Sequence, residues 1–228
     1  NTMGTLMQET LIGGQLIYPF VGDDWRPDTD RKAELMALVR DIDAGADCTL
    51  TLSIDLGGML VLAGDDAGLR AFEAAVAPID GRFPMRLPNH AAFHSHLQTP
   101  VSAAGRARIA PQLFGQPDLP MVDGRGAIWW PGAVDGEALW DYTLGHQVTE
   151  TYDFTHGVRV ALREFAPDCV IVTGPGNTLG GAAAQSMILS SWRGLATKSD
   201  FQTKQQTAPF LLSMGLEDQR GLVIGKGA

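Results

Sequence analysis

The chain has 228 residues, 45% of them hydrophobic and 19% charged, so it is long enough to bury a substantial core and is not disordered over most of its length. Its formal net charge of −9, with no basic run, argues against a nucleic-acid backbone as the main partner. The sequence has no apolar stretch of membrane-spanning length and no signal-peptide pattern, so we expect a cytoplasmic protein that does not bind a membrane.

Residues 15–88 show the element order βαββαβ. Residues 30–41 and 65–77 carry apolar side chains at helical spacing, and Asp55–Gly58 predicts a hairpin turn. The predicted strands are the apolar runs at 15–21, 48–54, 59–63 and 83–87. A unit of this order is ferredoxin-like and packs both helices on one face of a four-stranded antiparallel sheet.

After Pro88 the pattern becomes that of an α/β region. The predicted helices span residues 101–114, 135–144, 152–165 and 178–190, and two short hairpin strands span 119–123 and 127–130. The apolar run at 168–173 predicts a buried strand of a parallel sheet, followed by a tight turn at Gly174–Asn177. Residues 221–225 predict an edge strand near the end of a polar tail.

Two histidines, His94 and His96, lie at the junction of these two regions, where clefts commonly form. In an extended loop they point to opposite sides, which disfavours a shared metal ion. The residues alone leave open whether either histidine is catalytic or an ordinary loop residue. The sequence contains no usual metal-ligand spacing, phosphate loop or dinucleotide fingerprint, so we expect no metal and no bound cofactor.

A serine nucleophile of the Gly-x-Ser-x-Gly type is absent from the 228 residues. The nearest string, Leu211–Gly215, has glycine on one side of its serine only. We therefore interpret Ser213 as a surface or turn serine.

The segment Ala91-Ala-Phe-His-Ser-His-Leu97 resembles the histidine motif of malonyl-CoA:acyl-carrier-protein transacylases and of polyketide-synthase acyltransferase domains. Further segments are similar to motifs of the same family and occur in the same order. They are Met3–Glu9, Gly14–Gly22, Gly58–Gly64, the stretch that begins at Gln147, and Thr173–Leu179, which lacks the glutamate of the family's Gly-Pro-Gly turn.

The resemblance implies an α/β fold: part of an α/β-hydrolase-like acyltransferase core with a ferredoxin-like βαββαβ small subdomain. Residues 1–14 then form the end of a core helix, 15–88 the small subdomain, 89–190 the C-terminal part of the core and 191–228 a tail. The family's nucleophile elbow and oxyanion loop have no counterpart in these residues. We therefore expect an incomplete chain that is inactive as it stands.

The activity that the resemblance implies is ping-pong acyl transfer in fatty acid or polyketide biosynthesis. A serine outside this chain accepts the acyl group from acyl-CoA and passes it to the thiol of an acyl carrier protein. His94 is then the general base, the backbone carbonyl of Gln147 orients it, and Phe93 lines the acyl pocket. The resemblance does not indicate an oligomeric state.

Met3 occupies the position of the family's arginine, which binds the malonyl carboxylate. A thioether cannot make that charge-assisted pair, so we expect substrate contact at Met3 with an uncharged or atypical acyl group, unless a different cation replaces the arginine and the acyl group is malonyl. Two alternatives remain open at this point. One is a non-catalytic subunit that binds carrier protein or scaffolds a synthase, and the other is an acyl-CoA thioesterase.

Overall fold

The computed structural model describes residues 2–174 and 176–225. The helices are α1 (Thr2–Glu9), α2 (Thr29–Asp43), α3 (Asp66–Ala75), α4 (Thr99–Arg108), α5 (Gly136–Asp141), α6 (Gln147–Thr149), α7 (Phe154–Phe165), α8 (Leu179–Leu189), α9 (Lys198–Thr207) and α10 (Glu217–Val223). The strands are β1 (Gly14–Pro19), β2 (Leu50–Leu56), β3 (Met59–Gly64), β4 (Met85–Arg86), β5 (Met121–Val122), β6 (Ile128–Trp129), β7 (Tyr152–Asp153), β8 (Val170–Val172) and β9 (Leu211–Ser213).

The first half of the chain forms the predicted ferredoxin-like unit. Its sheet has the order β4-β1-β3-β2, with antiparallel neighbours throughout. A fifth strand, β7, joins the free edge of β2 in parallel, and Ile54 pairs with Tyr152. The two residues of β7 were predicted as the start of a helix, which instead begins at Phe154. The small subdomain thus extends its sheet with a strand from the α/β half.

The core of this subdomain lies between the sheet and the two helices that cover it. Leu35 and Val39 are the buried residues of α2, while α3 buries Leu69 and Phe72. Phe72 is fully buried and meets the Tyr18 ring edge-on, with ring centroids 5.7 Å apart. Burying several large apolar side chains on one face is what holds two amphipathic helices against one sheet.

The α/β half is built around a short parallel pair, β8 and β9, with α7 and α8 packed nearby. Strand β9 was not predicted, and the expected edge strand at residues 221–225 is wrong because helix α10 extends to Val223. Ser213 ends β9 and is 5% exposed, so its interpretation as a surface serine is also wrong. The predicted turn at Gly174–Asn177 includes Pro175, which lies outside the described residues.

Among the described helices, none has the length and apolar composition needed to cross a membrane.

Candidate active site

His94 sits in a tightly bonded loop between β4 and α4. Its φ of 54° is left-handed, a conformation that residues with a β-carbon seldom adopt. The loop is held on both sides of the histidine. The Ala92 amide donates to the Ile12 carbonyl at 2.8 Å, and the Ser95 hydroxyl donates to the Ala92 carbonyl at 2.6 Å. The conformation of His94 is therefore fixed by its neighbours.

The structure brings His94 and Gln147 together. The Nδ1 atom of His94 lies 2.6 Å from the backbone carbonyl oxygen of Gln147. A carbonyl can only accept, so Nδ1 carries the proton and Nε2 of the neutral ring keeps its lone pair. That tautomer is the one a general base requires. The roles of the two residues remain predictions.

The carbonyl of Gln147 is available because of the local helix geometry. Gln147 begins the three-residue helix α6, and carbonyls in the last turn of a helix lack intrahelical donors. A π-helical turn, Tyr142–His146, precedes it where a regular helix was predicted. The Ser102 hydroxyl of α4 donates to the Leu144 carbonyl at 2.6 Å and ties this turn to α4. Such turns are frequent at functional sites.

Burial lowers the pKa of His94 below its ordinary value of 6.5, and the hydrogen bond to Gln147 opposes this effect. The imidazole is therefore neutral at pH 7, and its Nε2 atom is ready to accept a proton. The Tyr152 ring covers the histidine at 5.5 Å between ring centroids and contributes to its burial. Burial, with the charge of Asp123, raises the pKa of the Tyr152 phenol.

One crevice borders the histidine loop, and a second lies beside the two residues that contact the His94 ring. One, of about 480 Å³, lies between α1 and the loop. Its lining residues are Gly4, Thr5, Met7, Gln8, Leu11, Asn89 and Phe93. The other, of about 170 Å³, lies beside Gln147 and Tyr152. Phe93 thus lines a crevice next to the candidate base, as an acyl pocket requires.

Met3 lies apart from that lining. It packs with Leu6, Val101 and Val148, and a β-carbon on Gly105 of α4 would meet its sulfur at 2.4 Å. Met3 therefore joins α1 to α4, and its contact with substrate stays a prediction.

His96 is exposed and begins a short 3-10 helix, His96–Gln98. Within residues 2–174 and 176–225, no three His, Cys, Asp or Glu side chains gather closely enough to hold a metal ion.

Three residues around His94 were missed by sequence reasoning: Tyr152, Gln15 and Ser53. Gln15 and Ser53 are 3% and 0% exposed, respectively, and both approach the backbone carbonyl of Phe93. Their only signal in the sequence is a polar side chain inside an apolar strand. Tyr152 carried no signal because a two-residue strand leaves no periodicity to detect.

Solved structures of bacterial acyltransferases superpose on almost the whole chain. FabD, the malonyl-CoA:acyl carrier protein transacylase of Xanthomonas oryzae pv. oryzae, is 15% identical, with a TM-score of 0.67 over 98% of this chain. The acyl-carrier-protein S-malonyltransferase of Burkholderia pseudomallei is 20% identical, with a TM-score of 0.62 over 90% of this chain. The chain has the fold of malonyl-CoA:acyl carrier protein transacylases.

A third structure with the transacylase fold is a malonyl-transacylase in complex with a type II polyketide-synthase acyl-carrier protein. It is 18% identical, with a TM-score of 0.62 over 97% of this chain and 61% of its own. The chain likewise spans 61% of the Xanthomonas structure and 62% of the Burkholderia structure. No protein-family model matches the sequence, and no curated protein matches it. The comparison establishes the transacylase fold, as the sequence resemblance predicted.

Proposed function

We propose that this chain is the base-bearing part of an acyltransferase that moves an acyl group from coenzyme A to the thiol of an acyl carrier protein. The observation that carries the proposal is the 2.6 Å hydrogen bond from His94 Nδ1 to the Gln147 carbonyl. It selects the tautomer that leaves Nε2 free to accept a proton, in a ring that burial keeps neutral.

Two proton transfers at Nε2 carry the proposed reaction. Nε2 of His94 accepts the proton of a serine outside these residues while the serine oxygen attacks the thioester carbonyl. The resulting imidazolium keeps its proton on Nδ1, hydrogen-bonded to the Gln147 carbonyl oxygen. It returns the Nε2 proton to the sulfur of coenzyme A as the carbon–sulfur bond breaks and the acyl-serine forms. The carrier thiol then attacks the acyl-serine by the same steps in reverse, which regenerates the serine.

The crevice beside Phe93 is proposed to take the acyl group. The seven residues that line it in the described part of the chain are uncharged. A malonyl carboxylate needs a cationic partner when it is buried, and Met3 stands where the resembled family has one. We therefore infer an uncharged or atypical acyl group.

The carrier protein is proposed as second substrate on the strength of two likenesses. The histidine motif at Ala91–Leu97 resembles that of acyl-carrier-protein transacylases. One structure of the same fold is a malonyl-transacylase bound to its acyl-carrier protein.

The test uses a protein that contains these 228 residues together with a serine elbow. Intact mass after incubation with acetyl-CoA should reveal an acyl adduct that only a carrier protein discharges. His94→Ala should slow acylation about 10²- to 10⁴-fold, the usual contribution of a positioned general base. His96→Ala is the matched control, since this exposed histidine two residues away should be dispensable.

Three outcomes would contradict parts of the proposal. Discharge of the adduct by water alone would indicate a thioesterase. Binding of carrier protein without any adduct would indicate a scaffolding subunit. A strong preference for malonyl-CoA over acetyl-CoA would contradict the uncharged acyl group while leaving acyl transfer intact.

A further inference from the structure

We propose that Gln15 and Ser53 are positioning residues that hold the candidate base His94 in its working conformation. The two residues are 3% and 0% exposed, respectively, within the small subdomain. Both reach the backbone carbonyl of Phe93, which belongs to the peptide bond immediately before His94. We call the hydrogen bonds from Gln15 and Ser53 to the Phe93 carbonyl the clamp. Its role in catalysis rests on the proposed function, whereas its geometry does not.

The hydrogen bonds form a directed chain. Gln15 Nε2 donates to the Ser53 hydroxyl oxygen at 2.7 Å, and the Ser53 hydroxyl donates to the Phe93 carbonyl at 2.7 Å. A second, longer contact of 3.4 Å runs from Gln15 Nε2 to the same carbonyl. With its amide nitrogen used in this way, Gln15 turns its oxygen toward Nδ1 of His90 at 2.9 Å, which then donates. Each polar group therefore has a partner of the right kind.

Burying two polar side chains in otherwise apolar strands costs stability unless their hydrogen bonds are made. Strand pairing uses backbone groups and not these side chains: Gln15 pairs with Ala63 of β3, and Ser53 is the extra residue of a β-bulge in β2 and has no partner in β3. What they supply is a fixed orientation for one peptide unit. That orientation, together with the bonds of Ala92 and Ser95, sets the left-handed φ of His94.

Without this clamp, the peptide unit before His94 loses its side-chain restraints, and a non-glycine residue leaves the left-handed region more readily when fewer bonds hold it there. Rotation of this planar peptide unit about the single bonds on either side of it swings the imidazole away from the Gln147 carbonyl. The ring then loses its fixed tautomer. Gln15 and Ser53 thus act on His94 through the backbone and without touching the substrate.

Nitrogen and proton NMR of the imidazoles in this chain tests the clamp without any need for activity. In the wild type we expect a slowly exchanging Nδ1–H proton for His94, assigned by its disappearance in His94→Gln. Ser53→Ala should abolish this protected signal and give nitrogen shifts averaged over both tautomers. Ser186→Ala is the matched control, because it removes an equally buried hydroxyl, bonded to the Ala182 carbonyl at 2.8 Å, far along the chain in α8.

Gln15→Met provides a second variant of similar size if Ser53→Ala fails to fold, and it should weaken the same signal. An unchanged His94 signal in either folded variant would overturn the proposal. In an active protein, both variants should lower kcat even after the rate is divided by the concentration of folded protein, a correction that is needed because a smaller folded fraction by itself lowers apparent kcat and leaves KM unchanged. If the protein proves not to transfer acyl groups, the NMR result still stands, so the two failures are distinguishable.

Discussion

The two halves of the molecule differ in how completely they cover their apolar side chains. In the small subdomain, the facing strands bury Leu16, Leu50 and Leu62 completely. In the α/β half, Ile171 of the parallel pair is 45% exposed, and Trp130 contacts Phe165 at the surface with the two rings tilted by 51°. The loop that carries His94 is anchored to the well-covered half through Gln15 and Ser53. A precise polar site is thus built on the side of the molecule with the closed core.

The largest expected effect comes from opening that core. Phe72→Ala removes a fully buried ring between α3 and the sheet, and should lower the free energy of unfolding by about 3–5 kcal/mol. Phe165→Ala, at a ring that is 38% exposed in the α/β half, should cost less than about 1 kcal/mol. Urea denaturation monitored by circular dichroism measures both. Equal losses would contradict the contrast between the halves.

A smaller effect is expected where the halves meet. Asp55 is 7% exposed, pairs with Lys32 and accepts a hydrogen bond of 2.8 Å from the Thr155 hydroxyl of α7. Asp55→Ala leaves both donors without this acceptor and should lower the free energy of unfolding by about 1–3 kcal/mol.

The control for Asp55 is Asp66→Ala, which breaks exposed pairs with Arg70 of α3 and Arg86 of β4 and should cost less than about 1 kcal/mol. Thermal unfolding by calorimetry gives both values. Equal losses would mean that the contact between the halves contributes no more than a surface ion pair.

The smallest effect is a change in pH dependence. The pKa of His94 is lower in the folded chain than its ordinary 6.5, so the unfolded chain binds this proton more tightly. His94 therefore reduces stability as the pH falls below 6.5 and has no such effect well above that value. His94→Gln should give a shallower loss of unfolding free energy between about pH 7 and 5.

The comparison for this pH profile is His96→Gln, at the exposed histidine on the same loop. Denaturant titrations of both variants across this pH range give the two profiles. A steeper loss in His94→Gln than in the wild type would contradict the direction assigned to the His94 pKa.

The sequence predicted the small subdomain well because one buried face imposes clear periodicity on each helix and strand. Prediction failed where an element is too short or its burial depends on distant residues. The apolar run at 221–225 suggested a strand, but a run of three large apolar residues fits a helix equally well. Strand β7 exists only because β2 offers a free edge, and the π-helical turn before Gln147 depends on contacts with α4.

The residues of the candidate site likewise fall into those that the sequence indicated and those that it did not. The resemblance to a family indicated His94, Gln147 and Phe93. A short motif can do this because proteins that share it also share the three-dimensional arrangement around it. Gln15 and Ser53 lie 38 residues apart in the chain and meet only when β1 and β2 enter the same sheet. Nothing local to either residue indicates that its partner is a carbonyl in a third segment.

Strand β2 contacts the chain on both sides of the hydrogen bond between His94 and Gln147. Ser53 holds the peptide before His94, while its neighbours Leu52 and Ile54 bind Thr151 and Tyr152, a few residues beyond Gln147. Strand β2 therefore contacts both the loop that carries the His94 imidazole and the segment that follows Gln147, whose carbonyl accepts its hydrogen bond. The donor and the acceptor of the His94–Gln147 hydrogen bond are therefore both tied to β2, so a substitution that shifts this strand should move the two together.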